Sequence, residues 1–364
     1  MNRQELSSLC FLHAINGLGN KTLWNIKKIF GSFSNCLEAD ADRLYHSGMN
    51  RRMVELIIDN RRKEDPLQTM EQLTIAGVGI CTVEDDIYPT LLRNIFDPPY
   101  LIYYYGQIDV LKAPCIAVVG SRVATVYGKT QAYRFGQEMA YHQITVVSGL
   151  ARGVDTQAHL GSLEAGGKTV GVLGSGLDVV YPKENQKIFD QMREKGLVLS
   201  EFPLHMIPEP GNFPMRNRTI SGLSQGVLVI EAKQKSGALI TADFALEQGR
   251  DVFALPGPIS SKNSEGTNQL IKQGAILVSC MNDILQEYDM NVFIASEEKI
   301  EQGELFLLDN KEIMVLECMG YDPLHFDEIL AWTHFSIGEL SASLMKLEGK
   351  GIVHILPGNC YIKI

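Results

Sequence analysis

The sequence predicts an α/β protein: a helix-covered sheet of mainly parallel strands, preceded by a small helical domain and followed by a winged helix. Three observations carry that expectation. Between residues 115 and 280, short and nearly continuous apolar runs alternate with helix-length amphipathic stretches, the pattern of strands buried on both faces. Residues 1–80 show short helical patterns punctuated by glycine. Residues 305–364 show three short helical patterns and then a hairpin signal, the order of elements in a winged helix.

Taken in chain order, "INGLGNKTLWNIKKIFG" places Gly17-Leu18-Gly19 between apolar segments, with Lys21, Thr22, Lys27 and Lys28 close by. This is the form of a helix-hairpin-helix turn, whose backbone N–H groups can hold a phosphate. An ordinary helix–helix turn reads the same way. A second such turn is expected in "IAGVGICTVEDDIYP", which leads past Pro89, Pro98 and Pro99 into the sheet. The expected strands are "CIAVVG", "ITVVSG", "TVGVLG", "LVLSEF", "GVLVIEA" and "DVFALPG". Residues 289–304, "DMNVFIASEEKIEQGE", read as a linker. "KEIMVLECMG", "HFDEILAWTH" and "SIGELSASLMKLEGKG" supply the last three helices, and "GIVHILPGNCYIKI" turns at Pro357-Gly358-Asn359. The expected domains are therefore 1–80, 81–288 and 305–364.

The 364 residues carry 33 Lys and Arg against 43 Asp and Glu, a formal net charge of −10. The whole excess lies in residues 281–364, with 5 basic against 15 acidic side chains, while residues 1–280 balance at 28 each. A neutral body is free to hold a local basic groove. In the winged helix, the third helix offers Glu339, Ser341, Ser343, Lys346 and Glu348, which favours a protein contact or plain packing over duplex binding. No run reaches the roughly 18 apolar residues of a membrane span. The start "MNRQELSSLC" lacks the basic segment and apolar core of a leader, so a cytoplasmic protein is expected. Cysteines at 10, 36, 81, 115, 280, 318 and 360 are odd in number and dispersed, the pattern of free thiols and not of a disulfide framework or zinc site.

In parallel sheets the ligand crevice lies beyond the carboxyl ends of the strands, and four loops there hold anion-ready groups. The first is Gly120-Ser121-Arg122, where glycine lets the backbone turn and arginine offers a rigid fork for phosphate oxygens. The second, "SGLARGVDTQAH", brings Ser148, Gly149, Arg152 and Gly153, with Asp155 capping the next helix or restraining Arg152. The third, "GSGLDVVYPKEN", offers Gly174, Ser175, Gly176 and Lys183; the fourth, "GNFPMRNRTISGLS", places Arg216 and Arg218 on either side of Asn217. Taken singly each loop is an ordinary turn, Asp155 and Asp178 are caps or turn formers, and Glu201 and Glu231 pair with arginines. Their repetition along one sheet edge points to a ligand with several phosphates, such as single-stranded nucleic acid. Tyr127, Tyr181 and Phe213 lie among the same loops and either stack on bases or pack in the core. Neither G-x-G-x-x-G nor G-x-x-x-x-G-K-[ST] occurs, and no H-E-x-x-H or other ligand-spaced histidine cluster is present, so neither cofactor nor metal is expected. A Ser148–His159 pair is the weakest of the catalytic readings.

The blocks "VVGSRVATVYG", "VVSGLARGVDTQAH", "GVLGSGLDVVYPKEN", "LSEFP", "FPMRNRTISGLS", "VLVIEAKQKSGALITADFALEQGRDVFALPG" and "EGTNQLIKQGA" resemble, in order, the DprA/Smf family of DNA-processing proteins of natural transformation. The resemblance runs through roughly 90–280. It implies an extended Rossmann-like domain with a parallel or mixed sheet, a helix-hairpin-helix or SAM-like domain before it, and a winged helix after it. It further implies a non-catalytic homodimer that binds single-stranded DNA in a basic pocket and loads the RecA recombinase. Carried over by resemblance, the pocket comprises Gly120, Ser121, Arg122, Ser148, Gly149, Arg152, Gly153, Lys183, Arg216, Asn217 and Arg218. The basic pair before Ser236-Gly237 adds Lys233 and Lys235. A departure from the family pattern is "SEFPLHMIP", where Leu204 and His205 follow the proline instead of an early glycine. The alternative reading is a nucleotide or nucleotide-sugar hydrolase using the same crevice.

Overall fold

A computed structural model describes residues 1–288, 309–319, 323–350 and 352–363; the expected linker at 289–304 lies outside them. The chain divides into two compact units, Met1–Met290 and Asn291–Ile364.

Six helices open the first unit: α1 (Arg3–Ala14), α2 (Asn20–Phe30), α3 (Phe33–Glu38), α4 (Ala41–Tyr45), α5 (Arg51–Arg61) and α6 (Pro66–Ile75). Asn2, Ser32, Asp40, Asn50 and Asp65 each accept a backbone N–H at a helix start, as good N-caps do. Gly17-Leu18-Gly19 does join two helices, with Gly17 at φ +100°. The second glycine turn behaves differently. From α6 the chain passes through Gly77 (φ +68°) into a strand, β1 (Gly79–Thr82), paired antiparallel with β2 (Leu101–Gly106). Gly79 faces Tyr104 across that pair, and a Cβ there would lie 2.3 Å from the ring; its glycine serves cross-strand packing, not a hairpin.

Glu5 ties the helical layer together. Its carboxylate accepts Phe33 N–H at 2.9 Å and both the N–H and hydroxyl of Ser34 at 3.0 Å, with Lys27 at 3.4 Å. Burial raises its pKa, but these donors outweigh burial and hold it below the ordinary 4.5. A depressed carboxylate contributes stability above its unfolded pKa and loses it as pH falls through the folded value. Glu5→Ala is expected to lower stability at neutral pH by about 1–3 kcal/mol, the range for unsatisfied buried donors. The gap between parent and variant should shrink as pH falls from neutral through the ordinary 4.5 and below. Urea titrations across that range check it, and a gap independent of pH contradicts it.

All six expected strands are present: β3 (Cys115–Val119), β4 (Thr145–Ser148), β5 (Thr169–Leu173), β6 (Leu197–Ser200), β7 (Gly226–Val229) and β8 (Asp251–Ala254). The two-residue β9 (Ile276–Leu277) completes a nine-stranded sheet of order β1-β2-β6-β5-β4-β3-β7-β8-β9. The β1–β2 and β2–β6 pairs are antiparallel and the rest parallel, so the sheet is mixed. The connecting helices are α7 (Thr90–Arg93), α8 (Val126–Tyr141), α9 (Val154–Glu164), α10 (Gln186–Lys195), α11 (Asn212–Gly222), α12 (Gly237–Glu247), α13 (Glu265–Lys272) and α14 (Met281–Glu287). Strands β3 to β7 are buried along their whole lengths, which explains their unbroken apolar runs. Leu9, Phe11 and Phe33 share one buried cluster with Tyr100, Tyr103, Phe189 and Val198, so the helical layer and the sheet close a common core.

One topological feature positions the site. The chain builds outward from β3 through β4, β5 and β6, then returns to lay β7 against the other side of β3. The connections after β3 and β7 therefore leave the sheet in diverging directions, which opens a crevice at their carboxyl ends.

The second unit has α15 (Asn310–Cys318), β10 (Leu324–His325), α16 (Phe326–Thr333), α17 (Ile337–Gly349), β11 (Val353–Leu356) and β12 (Cys360–Lys363). Capping boxes at Asp309/Glu312, His325/Glu328 and Ser336/Glu339 start its three helices. The wing hairpin turns where expected, with Gly358 and Asn359 at positive φ. The short β10 joins it in the order β10-β12-β11. Among the described residues, no helix is long and apolar enough to cross a membrane.

Candidate nucleic-acid interface

A cleft of about 700 Å³ opens at the β3/β7 switch point. Its first wall is Gly120-Ser121-Arg122. Ser121 Oγ accepts Val123 N–H at 3.2 Å, and Ser121 O accepts the N–H of Val154, the first residue of α9, at 3.3 Å. Gly153 lies against this turn at φ +79°, where a Cβ would sit 2.3 Å from Ser121 O; a side chain there would be strained twice over. The stem of Arg122 thus leaves a braced turn. Its guanidinium carbon is 5.1 Å from the centroid of the Phe213 ring, a cation–π distance. Among the described residues no carboxylate forms an ion pair with Arg122.

The second loop lies beneath the cleft. Ser148 is fully buried and donates to Val118 O at 2.6 Å, tying β4 to β3. Asp155 accepts Gly149 N–H at 3.1 Å and Ala151 N–H at 3.3 Å, so it holds its own loop and leaves Arg152 alone. Arg152 is exposed and pairs with Glu184 at 2.6 Å. Burial pushes the Asp155 pKa up, against the pull of the Arg216 charge. His159 bonds Thr169 Oγ1 at 2.6 Å, and burial, aided by Arg216, drives its pKa down to about 3. Ser148 and His159 therefore bond to different partners, neither to the other.

Helix α11 separates the two arginines read as a pair. Arg216 is 5% exposed, lines the cleft, and donates to Gly149 O at 2.6 Å and to Val172 O. Gly149 makes room for it, since a Cβ there would lie 2.4 Å from the guanidinium. Burial lowers the Arg216 pKa to about 10, with Asp155 opposing the shift and Arg122 adding to it, so the group stays charged at neutral pH. Arg218 does not join the cleft. Residues two apart on a helix point to nearly opposite sides, and Arg218 pairs with Glu201 and donates to Asp97 O. Burial raises the Glu201 pKa and Arg218 restrains the rise. Asn217 faces the cleft between Arg216 Nε at 3.2 Å and Gly237 O at 3.2 Å.

The wall after β7 carries Lys233 and Lys235, both exposed and both lining the cleft. Glu231 is buried and clamps Thr125, accepting its N–H at 2.9 Å and its hydroxyl at 2.5 Å. Tyr181 lies at the mouth, 45% exposed, with its ring 5.8 Å from Phe213. Tyr127 instead donates to Pro256 O at 3.2 Å, away from these rings. Lys183 is exposed on a short turn and does not line the cleft. At the departure from the family pattern, His205 bonds Asp178 through both backbone N–H (2.8 Å) and ring (2.6 Å). Ser236 and Gly237, at the start of α12, also line the cleft, beyond the basic pair that the family resemblance implies. Serine before glycine and an apolar helix was the available N-cap signal.

The cleft thus brings together Gly120, Ser121, Arg122, Arg216, Asn217, Lys233 and Lys235 with two aromatic rings. Comparison with known proteins matches residues 79–289 to the family of DNA recombination-mediator protein A and residues 304–359 to the DprA winged helix domain. The chain belongs to the DNA recombination-mediator protein A family. It is 34% identical to Protein Smf of Synechocystis, covering 95% of this chain and 96% of that one. The X-ray structure of DNA processing protein A (DprA) from Streptococcus pneumoniae is 36% identical, with a TM-score of 0.68 over 79% of this chain and 98% of that one. DNA processing protein A from Helicobacter pylori, whose structural report concerns its single-stranded DNA binding mode, is 30% identical, with a TM-score of 0.53 over 57% and 95%.

In this DprA-family chain the winged helix is poorly equipped to hold phosphate. Lys311, Lys346 and Lys350 are paired with Glu339 (2.8 Å), Asp309 (2.9 Å) and Glu312 (2.7 Å). A chain ending at Met290 is expected to keep single-strand affinity within about threefold of the full chain, roughly 0.6 kcal/mol. Titration of both forms with one oligonucleotide checks this, and a hundredfold loss from the folded truncation contradicts it.

Proposed function

We propose that the chain is a single-stranded DNA-binding recombination mediator that receives the strand in the switch-point cleft and loads the RecA recombinase on it during natural transformation. The observation that carries this reading is the uncompensated charge of the cleft. Arg122, Lys233 and Lys235 face it without a carboxylate partner among the described residues, and the one acidic residue lining it, Asp155, is buried and spends its carboxylate on backbone N–H groups. A phosphate entering there meets cations, the turn after Gly120 and the start of α12. Tyr181 and Phe213 offer π-faces to bases of any identity. Gly120, Ser121, Arg122, Arg216, Asn217, Lys233 and Lys235 are the direct contacts on this reading. Ser148, Gly149 and Gly153 shape the loops, and Arg152 and Lys183 lie outside the cleft as guides. Arg218 props α11 against Glu201.

Residues 81–288 do the binding, 1–80 form the adjoining helical domain, and 305–364 engage a different partner. Two copies associate through the sheet domain, so that two clefts retain one strand by raised effective concentration; the compartment is the cytoplasm. The decisive experiment compares a single-stranded oligonucleotide with blunt duplex of the same length, with light scattering on the same samples. Single strand is expected to bind at least about tenfold tighter, about 1.4 kcal/mol, without turnover and with two chains per particle. Equal affinities for the two forms, or release of base or phosphate, would sink the binding reading; monomers at micromolar protein would sink the dimer. Failure to speed recombinase assembly on coated single strands would remove the loading role.

A further inference from the structure

A second surface suited to nucleobases lies on the helical layer, away from the cleft's own residues. Phe96 is 99% exposed, although its neighbour Ile95 is buried. Trp24, on α2, is 36% exposed and fixed in place. Its indole N–H donates to Pro98 O at 3.1 Å, and its ring meets Tyr100 edge-on at 4.8 Å. Both rings line one depression of about 490 Å³, together with Lys21 and Asn25. Asp97 also borders it, but its carboxylate accepts the Asn20 amide at 2.8 Å. Lys21 has no ion-pair partner among the described residues.

Residues adjacent in sequence border the depression and the cleft. A second hollow of about 310 Å³ is bordered by the Gly17–Asn20 turn on one side and by Asn212 and Met215 of α11 on the other. Asn212 is followed by Phe213, which lines the cleft; Asn20 is followed by Lys21, which lines the aromatic depression. Helix α11 thus borders both cleft and hollow, and the first helical turn borders the hollow beside the depression.

We propose that Trp24 and Phe96 form a base-stacking platform, with Lys21 as its phosphate contact, for the part of a single strand that runs out of the cleft. The occupant is the same strand, so the inference rests on the function proposed above. Base stacking needs exposed π-faces and gains from a nearby cation, and it tolerates any sequence. The platform also lengthens the footprint. A strand confined to the cleft never reaches it, whereas a longer strand gains its affinity there.

The test uses the full chain with Trp332→Phe, which leaves Trp24 as the single tryptophan of the two in the sequence. Oligothymidylates from about 5 to about 25 nucleotides, spanning the range of single-groove site sizes, are titrated while emission is followed. The shortest are expected to bind without changing Trp24 emission, and the longest to quench it. Phe96→Ala, at a fully exposed position where folding is not at stake, is expected to weaken the longest oligonucleotide about fivefold to tenfold while leaving the shortest unchanged. Long oligonucleotides that bind with no change in Trp24 emission, or with parental affinity in Phe96→Ala, overturn the platform and leave the cleft intact. Absence of binding at every length overturns the cleft and the platform together.

Discussion

Replacing Arg122 with alanine lowers affinity for single-stranded DNA about tenfold to a hundredfold, the equivalent of roughly 1.5–3 kcal/mol for one charge-assisted contact. The stem of Arg122 leaves a turn braced by Gly153 and Val154, and its fork is held over Phe213. Lys233 and Lys235 bring comparable charge, but as flexible point charges without a braced fork. The loss should appear in the salt dependence as well, with the slope of log affinity against log salt falling by about 0.7. Arg122→Lys restores the slope but recovers only part of the affinity, because an ammonium lacks bidentate geometry. Since Arg122 is exposed, its removal leaves the melting midpoint unchanged. If Arg122→Ala binds like the parent at every salt concentration, the turn is structural and the cleft is not the strand's site.

Arg216→Met is expected to act on the fold itself, lowering stability by about 1–3 kcal/mol, the range for leaving buried polar groups unsatisfied. The change strips Gly149 O and Val172 O of a shared donor and removes the positive charge that offsets the buried Asp155 carboxylate. The pH dependence has a definite sign. With Arg216 present, burial already holds the folded pKa of Asp155 above its ordinary 3.8, and losing the guanidinium raises it further. A raised carboxylate contributes stability below its unfolded pKa and loses it as pH rises through the folded value. The variant should therefore be closest to the parent in acid and fall away as pH rises above about 4. Adding Asp155→Asn should recover part of the loss, which a double-mutant cycle by denaturant melts measures. A single variant with the parental midpoint at neutral pH would show that Arg216 carries no stability.

How much was legible in the chain is clearest from the strands. Each of β3 to β8 is an apolar run ended by glycine or an acidic residue, and local pattern sufficed for all six. The three others lacked that signal. Gly79 of β1 imitated a hairpin turn, β2 follows Pro98-Pro99 as an aromatic run, and β9 is two residues long. None of the three is a continuous aliphatic run: β1 and β9 are the edge strands, where cover is partial, and β2, though mostly buried, is built largely of tyrosine.

The sequence by itself determined the loops: glycine where the backbone must turn after β3 and β4, and cations beside it, since turn chemistry is local. Only the tertiary structure decided which of those cations meet. Helical rotation sent Arg216 into the cleft and Arg218 to Glu201; Glu184, 32 residues on, took Arg152; and Ser148 was buried against Val118. That Gly120 and Lys233 share one cleft depends on β7 returning to pair with β3. That strand pairing joins residues more than a hundred positions apart, and it is selected by burial of the whole sheet, for which no short window of sequence carries a signal.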